Sequence, residues 1–454
     1  MKDLTQGKPG KLILQFAAPM LIGNVFQQLY NVVDSIIVGN FLGKEALAAV
    51  GASFPLLFIL ISFVIGIASG STIIISQYFG AKDMKQVRRS IDTMWVFLFF
   101  SSLVVTGLGI AFSRQIFELI KLPADVMPQA LSYFNVYLGG IILFFGFNAT
   151  SAILRGLGDS KTPLYFLVIA TITNILLDLL FIVVFKWGVE GAAIATIISQ
   201  GGAFITAVIY LNHTHPIFNL SWRKIQFDRQ IFRKSINIGV PSGLQQTFVS
   251  MGMLALYRIV NDFGTDTVAA YSVALRIDSL ATLPAMNFAV ALSTYVGQNL
   301  GANKQERVGG GLWATFKMSS YVSLAVSLLV VLLRKTLMGM FTDDPAVIAI
   351  GAEYLLIVCS FYILFSAMFV IGGVLRGAGD TLFPMFITLI ALWVIRIPVS
   401  WILSRHMGAV GIWWAIPTGW AIGAVFSFIY FRMGQWKKKT VIRYPKVEKP
   451  NEDR

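Results

Sequence analysis

The residues most suited to ion chemistry are two aspartates that lie inside apolar segments. Asp34 is the only charged residue between Leu12 and Val38, a stretch long enough to span a hydrocarbon core of about 30 Å. A carboxylate at that depth costs roughly 2.5 to 3.5 kcal/mol on insertion scales, so it should face other helices or water. In another apolar segment, Asp178 follows Asn174 by one helical turn. If the two segments pack together, paired acids beside amide and hydroxyl oxygens would suit a proton or a hard monovalent cation.

Polar residues near Asp34 recur at helical spacing, so they share one face of its segment. We predict that this face lines a cavity for substrate; the alternative is a polar seam between packed helices. Pro19, earlier in the same segment, removes one backbone hydrogen bond and predicts a conformational bend there. The predicted cavity residues, with one from the fourth segment, are Gln27, Tyr30, Asn31 and Asn148.

The composition is that of a membrane protein. Of 454 residues, 56% are hydrophobic and 13% are charged, whereas a soluble protein is about one quarter charged. The formal net charge is +14, but the basic residues lie in loops between apolar segments, so we expect no nucleic-acid partner. The single cysteine, Cys359, can form neither an intrachain disulfide nor a thiolate cluster. We predict no cofactor and no resident metal, beyond a possible sodium ion at the aspartates.

Twelve apolar segments indicate the fold class: an all-α polytopic membrane protein with 12 transmembrane helices. The first segment lacks a cleavage site at the right distance, so we interpret it as a retained span. The predicted spans are 12–40, 46–79, 91–112, 129–154, 163–186, 189–211, 236–261, 267–299, 310–333, 346–375, 382–404 and 409–431.

Two motifs recur in the second half of the chain at the same offset. LRGLGD at 154–159 recurs as LRGAGD at 375–380, and the motif that begins at Gln77 recurs from Gln298. Six spans in each half predict two parallel six-helix bundles related by an axis along the membrane normal. We expect turn and cap chemistry from the LRGxGD motifs. The predicted divisions are an N-terminal lobe at 1–220, a cytoplasmic linker at 221–235, a C-terminal lobe at 236–433 and a basic tail at 434–454.

Lysine and arginine residues are distributed unevenly between the two sides of the predicted membrane. The side of the termini holds 25 of them and the opposite side holds seven. The positive-inside rule therefore predicts cytoplasmic termini in a plasma-membrane protein. Arg276, Asp278 and Arg396 lie at membrane depth in the second half, where local ion pairs and cavity-lining roles are both open.

The chain resembles the multidrug and toxic compound extrusion (MATE) transporters, most closely the DinF-like branch. The features that carry the resemblance are Pro19, the Asp34 segment, the Asn174 and Asp178 pair, and the paired LRGxGD turns. The resemblance implies the MATE/MOP-type fold. It also implies a cation-coupling site at Asp34, Asn174 and Asp178, with Thr196 of the sixth span as a further member. The implied function is antiport of lipophilic, often cationic compounds against protons or sodium, by a monomer. Unlike in the NorM-like branch, we expect no second cation site from the seventh or the tenth span.

Two other functions remain as alternatives. A lipid-linked oligosaccharide flippase of the same wider superfamily would be expected to carry several cationic residues in its cavity, to meet a pyrophosphate. Here the deep charges of the first half are carboxylates. An intramembrane enzyme would need a nucleophile beside a base or a set of metal ligands, and no such constellation occurs at helical spacing in these spans. We therefore predict a secondary active transporter that is not an enzyme.

Overall fold

The computed structural model describes residues 2–214 and 225–442, and within these ranges the chain is helical, without strands. The predicted all-α class is confirmed. The first half contains α1 (Pro9–Leu42), α2 (Lys44–Gly80), α3 (Met84–Ala111), α4 (Ser113–Leu119), α5 (Met127–Gly139), α6 (Ile141–Gly156), α7 (Lys161–Asp178) and α8 (Gly188–Thr214). The second half contains α9 (Arg229–Asn261), α10 (Thr265–Gly301), α11 (Glu306–Gly339), α12 (Pro345–Cys359), α13 (Tyr362–Gly377), α14 (Leu382–Leu389), α15 (Ile397–Met407) and α16 (Ala409–Met433).

Within the described ranges, nine helices are long and apolar enough to cross a bilayer. Two bent pairs, α5 with α6 at 52° and α12 with α13 at 48°, bring the number to eleven if each pair is one span. Two spans also contain a π-helical segment, Leu179–Val184 after α7 and Ile390–Arg396 between α14 and α15. The remaining predicted span, the seventh at 236–261, corresponds to α9, which is long but more polar, so the count of twelve stays a prediction.

The sequence repeat is also a repeat of local structure. α10 repeats α2 at the offset of the sequence motifs, and the two helices have the same length. The turns before these helices each contain a glycine in the left-handed region, Gly43 at φ +89° and Gly264 at φ +88°. Glycine adopts this conformation without the strain that a Cβ would cause. The lobe boundaries stay predictions, and parts of the linker at 221–235 and of the tail at 434–454 lie outside the described residues.

Close helix packing joins the two halves. α2 packs along α9, and α1 packs along α10. At the first of these contacts a Cβ added to Gly66 would lie 2.6 Å from the backbone nitrogen of Gly243, and one added to Gly70 would lie 2.6 Å from Ser235 O. Glycine therefore lets the two backbones touch. On α1, Pro19 is buried inside a helix that continues from Pro9 to Leu42.

Apolar side chains cover the outer surface of the helices, as expected in lipid. On α11, for example, Leu328 and Leu332 are 62% and 69% exposed. Polar residues such as Asp178 and Asn174 are instead fully buried. This inverted distribution is that of a protein whose surroundings are hydrocarbon.

Candidate functional site

Asp178 lies at a change of helix geometry. It is the last residue of α7 and directly precedes the π-helical segment Leu179–Val184. π-helical turns inside α-helices often occur at functional sites, because the extra residue redirects nearby side chains. Asp178 is 0% exposed, and Asn174, one turn earlier, is 1% exposed. Two polar side chains at such burial require polar partners.

The partner of Asp178 is Asp34. α1 packs against α7, and the two carboxyl groups are close enough to share a hydrogen bond. Oδ1 of Asp34 and Oδ1 of Asp178 are both buried, and neither accepts a hydrogen bond from a donor within residues 2–214 and 225–442. Two carboxylates at this separation repel each other unless a proton or cation lies between them. The predicted pairing of the two acids is thus present in the geometry.

Asn174 and Thr196 surround the same pair of acids. With the Asn174 amide oriented to suit both neighbours, its nitrogen donates to Asp178 Oδ2 at 2.8 Å and its oxygen accepts from the Thr196 backbone N–H at 3.2 Å. The Thr196 hydroxyl donates to Ala192 O at 3.1 Å and lies 3.1 Å from the Tyr30 hydroxyl, which is therefore the donor to it. Side chains from α1, α7 and α8 thus form one connected network.

Two tyrosines that sequence reasoning missed complete the surroundings of Asp34. Tyr133 and Tyr137 lie one turn apart on α5, with ring centroids 6.1 Å apart, and both interact electrostatically with Asp34. In the sequence, only their spacing of one helical turn could have indicated a shared face. In other respects, tyrosines in an apolar segment resemble ordinary core residues. They bring α5 into the wall around the acids.

The predicted cavity residues have separate environments. Tyr30 joins the acidic site through Thr196, as described above. Gln27 is exposed on α1. The Asn31 amide donates to Gln28 Oε1 at 3.4 Å, and Asn148 donates to Phe144 O at 2.9 Å, so both bond within their own helices. Of the four, the structure brings only Tyr30 to the aspartates, and a substrate role for the others stays a prediction.

Within residues 225–442 the second half has no equivalent pair of acids. The position that repeats Asp34 is Leu256, which is fully buried in an apolar cluster. Asp278 on α10 accepts a 2.7 Å hydrogen bond from the Tyr362 hydroxyl, and Arg396 lies near enough to interact electrostatically with it. Arg276 is exposed on the same helix. Asp278 therefore belongs to a mixed polar cluster that contains both an acid and a base.

The donor set of the first half fits a proton or a small hard cation. It offers carboxyl oxygens from two acids with an amide and a hydroxyl beside them, and hard monovalent or divalent ions prefer such oxygen ligands. Within the described ranges, no group of three or more histidine, cysteine, aspartate or glutamate side chains could hold a metal ion. One proton or one monovalent cation between two carboxylates leaves a net charge of −1, and a second proton makes the pair neutral.

Comparison with known proteins identifies the family. The MatE family profile matches residues 19–180 and again residues 241–402, which together are most of the chain. The chain belongs to the MatE family. The second match follows the first at nearly the same offset as the repeat seen in the helix bounds.

Individual MATE relatives align along nearly the whole chain. The "Probable multidrug resistance protein YpnP" of Bacillus subtilis is 33% identical over 96% of this chain and 97% of its own. A solved structure titled as the outward-facing conformation of a multidrug resistance MATE family transporter of the MOP superfamily superposes with a TM-score of 0.90, at 25% identity, over 97% and 99% of the two chains. A MATE structure "in the bent conformation" gives 0.89 at 26% identity, over 96% and 98%.

These matches establish what kind of protein this is. The chain is a multi-span membrane protein of a multidrug efflux transporter family, and the expectation of a transporter that is not an enzyme is confirmed. The all-α MATE fold is confirmed as well. The coupling ion, the substrates and the orientation in the membrane are taken up as proposals.

Proposed function

We propose that this MATE transporter is an antiporter that exports lipophilic, often cationic compounds while protons or sodium ions enter through Asp34 and Asp178. The observation that carries the proposal is the meeting of the two carboxyl groups inside the first half, each with a buried Oδ1 that accepts no hydrogen bond from the described part of the chain. Charge in such a place must be compensated, and an incoming cation can supply that compensation.

Ion binding can be coupled to drug binding because the acidic site is formed by side chains from three different helices. Asp34 and Tyr30 lie on α1, whereas Asp178 and Thr196 lie on α7 and α8. A proton or sodium ion that neutralises the acids removes the repulsion between α1 and α7, and Tyr30 then holds α1 to α8. The first half closes around the ion and leaves no room for a drug. When the ion is lost, the acids repel, α1 moves away and a cationic drug can bind. Drug and ion therefore bind alternately, as antiport by alternating access requires.

Pro19 gives α1 a place to bend during this exchange. Its ring leaves the carbonyl of Gln15 without the usual helical partner, which makes the helix easier to bend there. We expect Pro19→Ala to slow transport while the protein remains folded and inserted. Transport assays at equal membrane abundance test this, with Pro417→Ala in α16 as a control for loss of a helix proline. Normal turnover by Pro19→Ala would contradict the role of the bend.

The basic residues predict how the protein lies in a plasma membrane. We expect tags at Lys2 and Arg454, and a cysteine probe in the loop at 223–234, to report the cytoplasm. A probe at Lys121 should report the outside. The test labels intact cells with a membrane-impermeant thiol reagent and compares the cysteine probes on the two sides. The background is Cys359→Ser, which removes the native thiol. External labelling of the loop at 223–234 would overturn this orientation.

The proposed function is tested by transport with the purified protein in proteoliposomes. A fluorescent lipophilic cation is added, and a proton gradient and a sodium gradient are imposed in separate experiments. We expect at least one of the gradients to drive the compound against its own gradient, and dissipating that gradient to stop it. If neither gradient moves the compound in proteoliposomes whose protein is folded, cation-coupled antiport of this substrate class is wrong.

A further inference from the structure

Two repeated glutamines connect the halves at one side of the membrane. Gln77 near the end of α2 and Gln298 near the end of α10 occupy equivalent positions of the repeat, and both are 0% exposed. The Gln77 side chain donates to Gly377 O at 3.0 Å, and the Gln298 side chain donates to Gly156 O at 3.2 Å. Each glutamine thus binds the LRGxGD turn of the opposite half. The LRGxGD motifs were expected to form local turns. In the structure, each also accepts a hydrogen bond from the glutamine of the other half.

Each glutamine also binds a segment near one end of the chain. Gln298 Oε1 accepts from the backbone N–H of Leu4 at 2.9 Å, and Gln77 Oε1 accepts from that of Val441 at 2.8 Å. The Leu4 side chain is fully buried, and Asn299 donates to its carbonyl oxygen at 3.2 Å. The amide of each glutamine therefore has a partner for its nitrogen and another for its oxygen. A buried amide is stable only when it is satisfied in this way.

Backbone contact between α2 and α10 accompanies these hydrogen bonds. A Cβ on Gly80 would lie 2.0 Å from Gln298 O, and a Cβ on Gly301 would lie 1.9 Å from Gln77 O. The two helix ends therefore touch without any intervening side chain. They lie on the side of the basic loops, which we predict to be cytoplasmic. Neither the glutamine–glycine hydrogen bonds nor these backbone contacts can persist if the halves separate on this side.

We propose that Gln77 and Gln298, with the carbonyl groups of Gly377 and Gly156, form a symmetric latch that holds the cytoplasmic side of the transporter closed. The latch rests on the alternating access proposed above. Opening toward the cytoplasm breaks both glutamine–glycine contacts together. Water satisfies the amides once they are exposed, so the latch can open and close during each cycle. The latch sets the ratio between the states that are open and closed on the cytoplasmic side. It does not bind the substrate.

Spin-label distances across the latch test the proposal. Lys161 and Leu382 begin α7 and α14, are exposed and occupy equivalent positions of the repeat. Labels at Lys161→Cys and Leu382→Cys, in the Cys359→Ser background, report opening on this side of the full-length protein by double electron–electron resonance. The latch variants are Gln77→Met and Gln298→Met, alone and combined, because methionine keeps the side-chain volume and removes the hydrogen bonds.

The control is Gln245→Met, since Gln245 bonds to Thr388 and Pro384 within the second half. A net hydrogen bond changes an equilibrium roughly fivefold, so we expect each latch variant to raise the open-to-closed ratio by about that factor. The double variant should show the larger shift, and Gln245→Met should resemble the wild type. If the double variant is poorly folded, the two single variants decide the question.

Two further outcomes distinguish the latch from the proposed function. If the wild-type distance changes with drug or with the coupling ion but the latch variants have the wild-type distribution, the latch is wrong and alternating access stands. If the wild-type distance is the same under all gradients and ligands, alternating access is wrong, and the latch is overturned with it.

Discussion

Replacing Asp34 with asparagine is expected to reduce gradient-driven export by about tenfold or more while leaving much of the fold intact. Asparagine keeps the shape of the side chain but can neither release a proton nor neutralise a cation, so it mimics the protonated state permanently. Coupling free energies between sites are typically about 1 to 3 kcal/mol, so export driven by the gradient should fall by about tenfold or more. Asp178→Asn should have a similar or milder effect. Transport rates in proteoliposomes at matched protein content measure the loss.

The control for the aspartate variants is Asp266→Asn, an exposed aspartate in the first turn of α10. This variant makes the same chemical change outside the site, and we expect wild-type export from it. Wild-type export by Asp34→Asn, with unchanged dependence on pH and sodium, would show that the coupling site lies elsewhere.

Replacing Gly66 with alanine is expected to destabilise the contact between the two halves. The new Cβ would lie 2.6 Å from Gly243 N and 2.9 Å from Gly239 O, and backbone atoms in a helix cannot move aside individually. α2 and α9 would have to separate, at a cost of about 1 to 3 kcal/mol for an overpacked contact. We expect lower membrane abundance and a lower melting temperature in detergent, together with reduced transport.

Gly51→Ala in the same helix is the matched comparison, because a Cβ there meets no atom within 4 Å. Alanine is also the better helix former, so this variant should be as stable as the wild type or slightly more so. Equal melting temperatures for Gly66→Ala and Gly51→Ala would show that close approach at Gly66 does not hold the halves together.

The sequence predicts the acidic site well, because carboxylates in apolar segments are rare and have few explanations. Asp34 and Asp178 stand out on that ground alone, and Asn174 lies one turn from Asp178. The repeat position of Asp34 in the second half is Leu256. Tyr30 follows from its position one turn before Asp34. Tyr133 and Tyr137 could not be chosen in advance, since nothing local distinguishes a tyrosine that faces an acid from one that packs in the core.

Other features depend on how helices cross, which periodicity does not specify. Gln27 and Asn31 share a helix face with Asp34, yet the structure leaves Gln27 exposed and bonds Asn31 to its own helix. The repeat identified Gln77 and Gln298, but their partners lie in the opposite half. A sequence motif cannot show such a reciprocal contact until the angle and separation of α2 and α10 are known.

Drug affinity measured as a function of pH and sodium tests the central claim most directly. With purified wild-type protein, the coupling ion should weaken binding of a lipophilic cation by roughly 5- to 150-fold, the range expected for a coupling free energy of about 1 to 3 kcal/mol. In Asp34→Asn the same titration should leave the affinity unchanged. A wild-type affinity that does not vary with either ion, or an equal change in Asp34→Asn, would contradict mutual exclusion of drug and cation through this site.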